Sequence, residues 1–108
     1  MEGFWIVQYV GMEGSGGGVA VFLRGHFYGG DSGVQYTGTY KVEGDQFLAD
    51  AQVHEFLPGT GNVLGITGDF RLALKGTIAG AVVEGTAKLV DQPGVGIAFK
   101  LKRISDLL

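Results

Sequence analysis

The chain has 108 residues, 45% hydrophobic and 18% charged, with a net charge of −3. That length suits one domain, residues 1–108, with a single core; the apolar share excludes the disordered class, and the acidic balance argues against direct nucleic-acid binding. No cysteine is present, which excludes disulfides and thiolate metal sites, and no apolar run reaches the ~20 residues of a membrane helix.

Twenty-one glycines are scattered among β-branched and aromatic residues. Glycine is costly in helices but serves the turns, bulges and tight bends of closed sheets. Period-2 alternation bounded by turn residues predicts strands in chain order. The first covers 3–10 and is followed by a glycine-rich connection through Gly18. The second covers 19–24, and Gly25 reverses the chain into 26–28. Gly29-Gly30-Asp31-Ser32-Gly33 leads to 34–41, and Glu43-Gly44-Asp45 forms a hairpin tip before 46–56. After Leu57-Pro58-Gly59 come two longer runs, 63–74 and 78–90, joined near Gly76. The turn Asp91-Gln92-Pro93-Gly94 precedes the last strand, 95–104, and Ser105 to Leu108 suit a short helical turn. Eight consecutive strands with short links predict an all-β, antiparallel up-and-down barrel, of a size that side chains fill or one small ligand occupies.

Alternation assigns the faces. Val95, Ile97, Phe99 and Leu101 point inward, as do Leu64, Ile66, Phe70, Leu72 and Leu74. Phe47, Ala49, Ala51 and Val53 oppose Asp50, Gln52 and His54 on the wet face. Ala49, Ala51, Gly38 and Gly68 are small inward residues that leave space. The segment around Ala79–Val83 is apolar on both faces, which makes Val82 a candidate contact for a second copy in a symmetric dimer. Charge is uneven: residues 1–70 carry a net −6 and residues 71–108 a net +3.

Chemistry-bearing patterns are sparse. Gly30-Asp31-Ser32-Gly33 matches the nucleophile segment of trypsin-type proteases, but that chemistry needs a histidine base oriented by a buried carboxylate. Only His26 and His54 are present, in half the chain length those enzymes need. Gly14-Ser15-Gly16-Gly17-Gly18 lacks the Lys and Ser/Thr that end a phosphate-binding loop. Two histidines far apart form at most part of a metal ligand set. No catalytic residue, cofactor site or metal site is expected.

Gly3-Phe4-Trp5 opens the first strand as Gly-x-Trp does in lipocalins, where a basic residue at the end of the last strand crosses the barrel end onto the indole. Arg103 stands at the matching position, and a guanidinium over an indole contributes about 0.5–2 kcal/mol. More of the chain resembles the GrlR-like proteins, negative regulators of type III secretion, and their bacterial relatives. The likeness is carried by Gly18-Val19-Ala20-Val21-Phe22, Tyr28-Gly29-Gly30-Asp31-Ser32, Tyr36-Thr37-Gly38-Thr39-Tyr40, Phe70-Arg71-Leu72-Ala73-Leu74-Lys75-Gly76 and Lys102-Arg103-Ile104-Ser105-Asp106-Leu107. The resemblance implies a lipocalin-like, often dimeric barrel without catalysis, and the lack of a basic leader or membrane run makes a cytoplasmic protein the default expectation. The resemblance also implies a protein partner, a DNA-binding activator, held by an acidic Glu-Asp-Glu-Asp loop that corresponds here to Glu43 and Asp45, with Gly44 replacing an acid. The other reading of a barrel this size is an apolar small-molecule binder that uses its interior.

Overall fold

Alternation becomes eight antiparallel strands in a computed structural model that describes residues 1–11, 14–59, 64–66 and 68–108. They are β1 (Gly3–Gly11), β2 (Gly14–Leu23), β3 (His26–Gly30), β4 (Val34–Glu43), β5 (Gln46–Glu55), β6 (Phe70–Ala79), β7 (Val82–Leu89) and β8 (Gly96–Ser105). Each pairs with the next, and β8 returns to β1, so the sheet closes in the order expected of a meander. Closure satisfies every strand edge. No helix occurs among the described residues, so none is long and apolar enough to cross a membrane.

The two ends of the barrel are built differently. At one end, here the turn end, β2–β3, β4–β5 and β6–β7 are joined by two-residue turns, Arg24-Gly25, Gly44-Asp45 and Gly80-Ala81. Arg24 and Gly25 both take positive φ, 52° and 78°, the backbone that suits a tight hairpin between right-twisted strands. The longer β3–β4, β5–β6 and β7–β8 connections lie at the opposite end, the mouth.

The core is one cluster, with Trp5, Phe47 and Val83 at most 1% exposed. Its turn-end half is aromatic. Phe22 stacks on Phe27 at 5.3 Å and meets Trp5, Tyr40 and Phe47 edge-on at 5.1–6.1 Å. Such pairs each add about 0.5–1.5 kcal/mol beyond area burial.

Glycine decides where these rings fit. Most interior aromatic side chains lie directly across from a glycine on a neighbouring strand: Tyr9 from Gly16, Phe27 from Gly38, Tyr36 from Gly29, Phe47 from Gly76 and Phe99 from Gly85. A Cβ added at Gly16 would stand 2.7 Å from the Tyr9 ring, and one at Gly38 would stand 2.8 Å from Phe27. The missing side chain is the volume the ring occupies.

This corrects several sequence expectations. The glycine run 14–18 is not a flexible connection: it is the first half of β2, paired with Val7–Gly11, because Gly16 and Gly18 face inward. Gly76 is not a turn but a buried mid-strand residue opposite Phe47; the β6–β7 reversal comes at Gly80, where φ is 63°. The sixth strand starts at Phe70 instead of residue 63. Gly65 and Gly68 take φ of 67° and 83°, which interrupts extended backbone, and Val63 lies outside the described residues. Ser105 ends β8 and no helical turn follows it.

Candidate functional site

The residues singled out by sequence gather at the turn end. Glu43 ends β4 and Asp45 sits in the following turn, and both side chains are exposed. Gly44, at φ 64°, makes that two-residue reversal possible. Lys41 draws Glu43 back along its own strand at 3.4 Å, an exposed pair worth little in water. Gln46 Nε2 donates to Asp45 Oδ1 at 3.2 Å, and the Asp45 carbonyl accepts from the Ile78 N–H at 2.7 Å, tying this tip to the neighbouring β6–β7 hairpin.

Trp5 and Arg103 are register partners across the β1–β8 seam, beside a register shift between Phe4 and Trp5. The indole is buried and Nε1 donates to the Met1 carbonyl at 3.1 Å, which folds the N-terminus over the barrel end. The Arg103 guanidinium donates through Nε and Nη2 to the Glu2 carbonyl at 3.2 and 3.1 Å and pairs with Asp106. It also runs close over Gly3, where a Cβ would meet Nε at 2.8 Å. Arg103 thereby fastens the first residues to the last. Val82 follows the Gly80-Ala81 turn with its neighbour Val83 fully buried, which turns Val82 outward, half-buried between Ala79 and Lys102.

The mouth was not singled out as a site, yet it holds a polar cluster centred on Asp31. Asp31 Oδ1 accepts from the Gly33 and Val34 N–H groups at 2.8 and 3.0 Å, and Oδ2 accepts from the Tyr9 hydroxyl. Tyr36 reaches the Gly30 carbonyl at 3.4 Å, a long contact. Burial, reinforced by the Asp31 charge, pushes both phenols well above the usual tyrosine range. The sequence did carry a signal for this cluster. Gly-Gly-Asp followed by Tyr-x-Gly places two glycines, a turn-capping acid and a ring on facing strands. The protease-like Asp31-Ser32 segment is therefore a turn cap, and His26 lies at the other end of the barrel.

On the outer wall of the mouth, His54 Nδ1 lies 3.0 Å from Asp69 Oδ1, which also accepts from the Glu55 N–H at 3.1 Å. Those bonds hold the exposed Asp69 carboxyl below its usual range. Among the described residues no three His, Asp or Glu side chains converge on one point where a metal could sit.

Inside the barrel, between the aromatic half and the mouth, lies a cavity of about 100 Å³. Val7, Ala51, Val53, Leu72, Ala87 and Leu101 are among its lining residues. It falls below the about 300–1,000 Å³ of ordinary ligand pockets. Ala49 and Ala51 face inward as expected, but the space at Gly38 is taken by the Phe27 ring, and Gly68 belongs to the β5–β6 connection, off the barrel wall.

The outer face of β1–β3 carries an apolar patch that the strand-by-strand reading passed over. Ile6 pairs with Val19, and Phe4 with Val21, which pairs with Tyr28; Ile6, Val19 and Tyr28 are exposed. Apolar residues on both faces of 4–7 and 19–23 were its signature. No family model matches this chain, and no curated protein matches it.

Proposed function

We propose that the protein is a non-enzymatic regulatory barrel that binds a basic protein partner through the Glu43–Asp45 tip. The reading follows the resemblance to GrlR-like negative regulators of type III secretion, and its partner class is a DNA-binding activator. It places the protein in the cytoplasm as a homodimer. The observation that carries it is the position of the two acids. They stand exposed, Glu43 at the end of β4 and Asp45 in the two-residue turn that follows, with the turn anchored by the Ile78–Asp45 bond.

Charge-led binding of this kind weakens steeply with salt, because exposed charges are screened over about 8–10 Å at physiological ionic strength. Rim charges act mainly on association rate. Glu43→Lys combined with Asp45→Lys is expected to slow association with a captured basic partner about tenfold and leave its dissociation rate nearly unchanged, measured by surface plasmon resonance. Binding that survives both reversals at unchanged rate refutes the reading.

The interior cavity favours a second reading, a small-molecule binder. Its walls are apolar, and no polar or charged side chain is buried among the described residues.

A further inference from the structure

Deepening the second reading and resting on it, we propose that the interior takes one small, neutral, aliphatic molecule, with about four carbons inside the barrel. Three observations narrow the class.

The first is size. The lining runs from Phe47 to Val53 along β5 and from Ile97 to Leu101 along β8. The space between these walls is small, about 100 Å³. Apolar cavities of about 150 Å³ take one benzene, so this space accommodates about two-thirds as many carbon atoms.

The second is the lining. No basic side chain is buried within the barrel among the described residues, so a carboxylate drawn inside would lose its water and find no partner.

The third is the mouth, where Asp31 presents negative charge beside the Tyr9 and Tyr36 hydroxyls. An anionic head group there meets repulsion, whereas a hydroxyl head finds hydrogen-bonding oxygens. Fatty-acid carboxylates are thereby disfavoured and neutral alkanols favoured.

The full-length protein would be titrated with 1-propanol, 1-butanol, 1-hexanol, 1-octanol, hexanoate and benzene at pH 7, following the Ala51 and Ala87 methyl resonances by NMR. Affinity is expected to rise about fourfold per methylene while the chain lengthens inside the barrel and to level off once it projects into water. Hexanol is expected to bind at least tenfold more tightly than hexanoate. Ala51→Leu, which adds three carbons to the cavity wall, is expected to weaken butanol binding at least tenfold. Ala87→Leu, two strands away on β7, serves as the second variant, and circular dichroism checks that each retains the barrel. Hexanoate binding as tightly as hexanol, or benzene more tightly than butanol, overturns the ligand class while leaving an interior site standing. Methyl resonances unmoved by every probe overturn both the class and the interior reading.

Discussion

Replacing Gly38 with alanine tests whether glycine–aromatic complementarity shapes this barrel. Gly38 faces inward on β4, between Phe27 of β3 and Ala51 of β5. The added methyl would lie 2.8 Å from Phe27 Cζ, when ordinary contacts begin near 3.4 Å, and would collide more severely with the Asp50 carbonyl. The ring can tilt away. The carbonyl belongs to β5, which is paired on both sides, so the strand itself must move. Overpacking typically costs about 1–3 kcal/mol, and the backbone obstacle puts Gly38→Ala near ~3 kcal/mol. Against a total stability of about 5–15 kcal/mol, that lowers a urea midpoint by about 1–3 M at ordinary slopes. The assay is equilibrium urea unfolding followed by Trp5 fluorescence. Gly94→Ala is the control: nothing lies within 4 Å of its added Cβ, so a neutral result or a gain of about 0.4–1 kcal/mol is expected. In a Phe27→Leu background the ring obstacle disappears and the backbone one remains, so the two substitutions should couple by about 0.5–3 kcal/mol. A Gly38→Ala loss within ~0.5 kcal/mol, equal to that of Gly94→Ala, refutes the reasoning.

Trp5→Ala removes a ring that is 1% exposed and is expected to cost about 3–5 kcal/mol in denaturant unfolding; a loss below ~1 kcal/mol would show the indole to be peripheral. Alkaline pH should destabilise the barrel. Burial raises the Tyr9, Tyr36 and Tyr40 phenols in the folded state, so their contribution is complete below the unfolded value of about 10 and is lost as pH rises above it. Thermal melts from pH 8 to 11, with tyrosinate absorbance followed in parallel, check this; ionisation of these tyrosines without loss of stability would contradict it. Self-association as a symmetric dimer is expected at tens of micromolar in sedimentation equilibrium, with Val82→Glu shifting the species to monomer. A dimer that survives Val82→Glu but separates on Val19→Glu would move the interface to the β1–β3 face.

Much of the fold was legible because a closed meander imposes a local code. Alternation at 46–53 and 95–101 assigned Phe47, Val53, Phe99 and Leu101 to the interior correctly, since neighbouring side chains on a strand must point to opposite faces. The β1–β8 seam that sets Arg103 opposite Trp5 was legible as well, from the two strands' places at the chain ends, whereas the bonds of the guanidinium to the Glu2 carbonyl and Asp106 were not. The roles of individual glycines were not. In sequence, Gly14–Gly18 and Gly76 look like turns, because backbone freedom is all that composition reveals. Across the sheet, Gly16 and Gly76 make room for Tyr9 and Phe47, residues 7 and 29 positions away. Cross-strand register, which the chain acquires only on closing, decides whether a glycine bends the backbone or admits a ring. The Asp31–Tyr9 bond at the mouth and the outer patch joining β1, β2 and β3 arise in the same way, from strands brought side by side by the barrel.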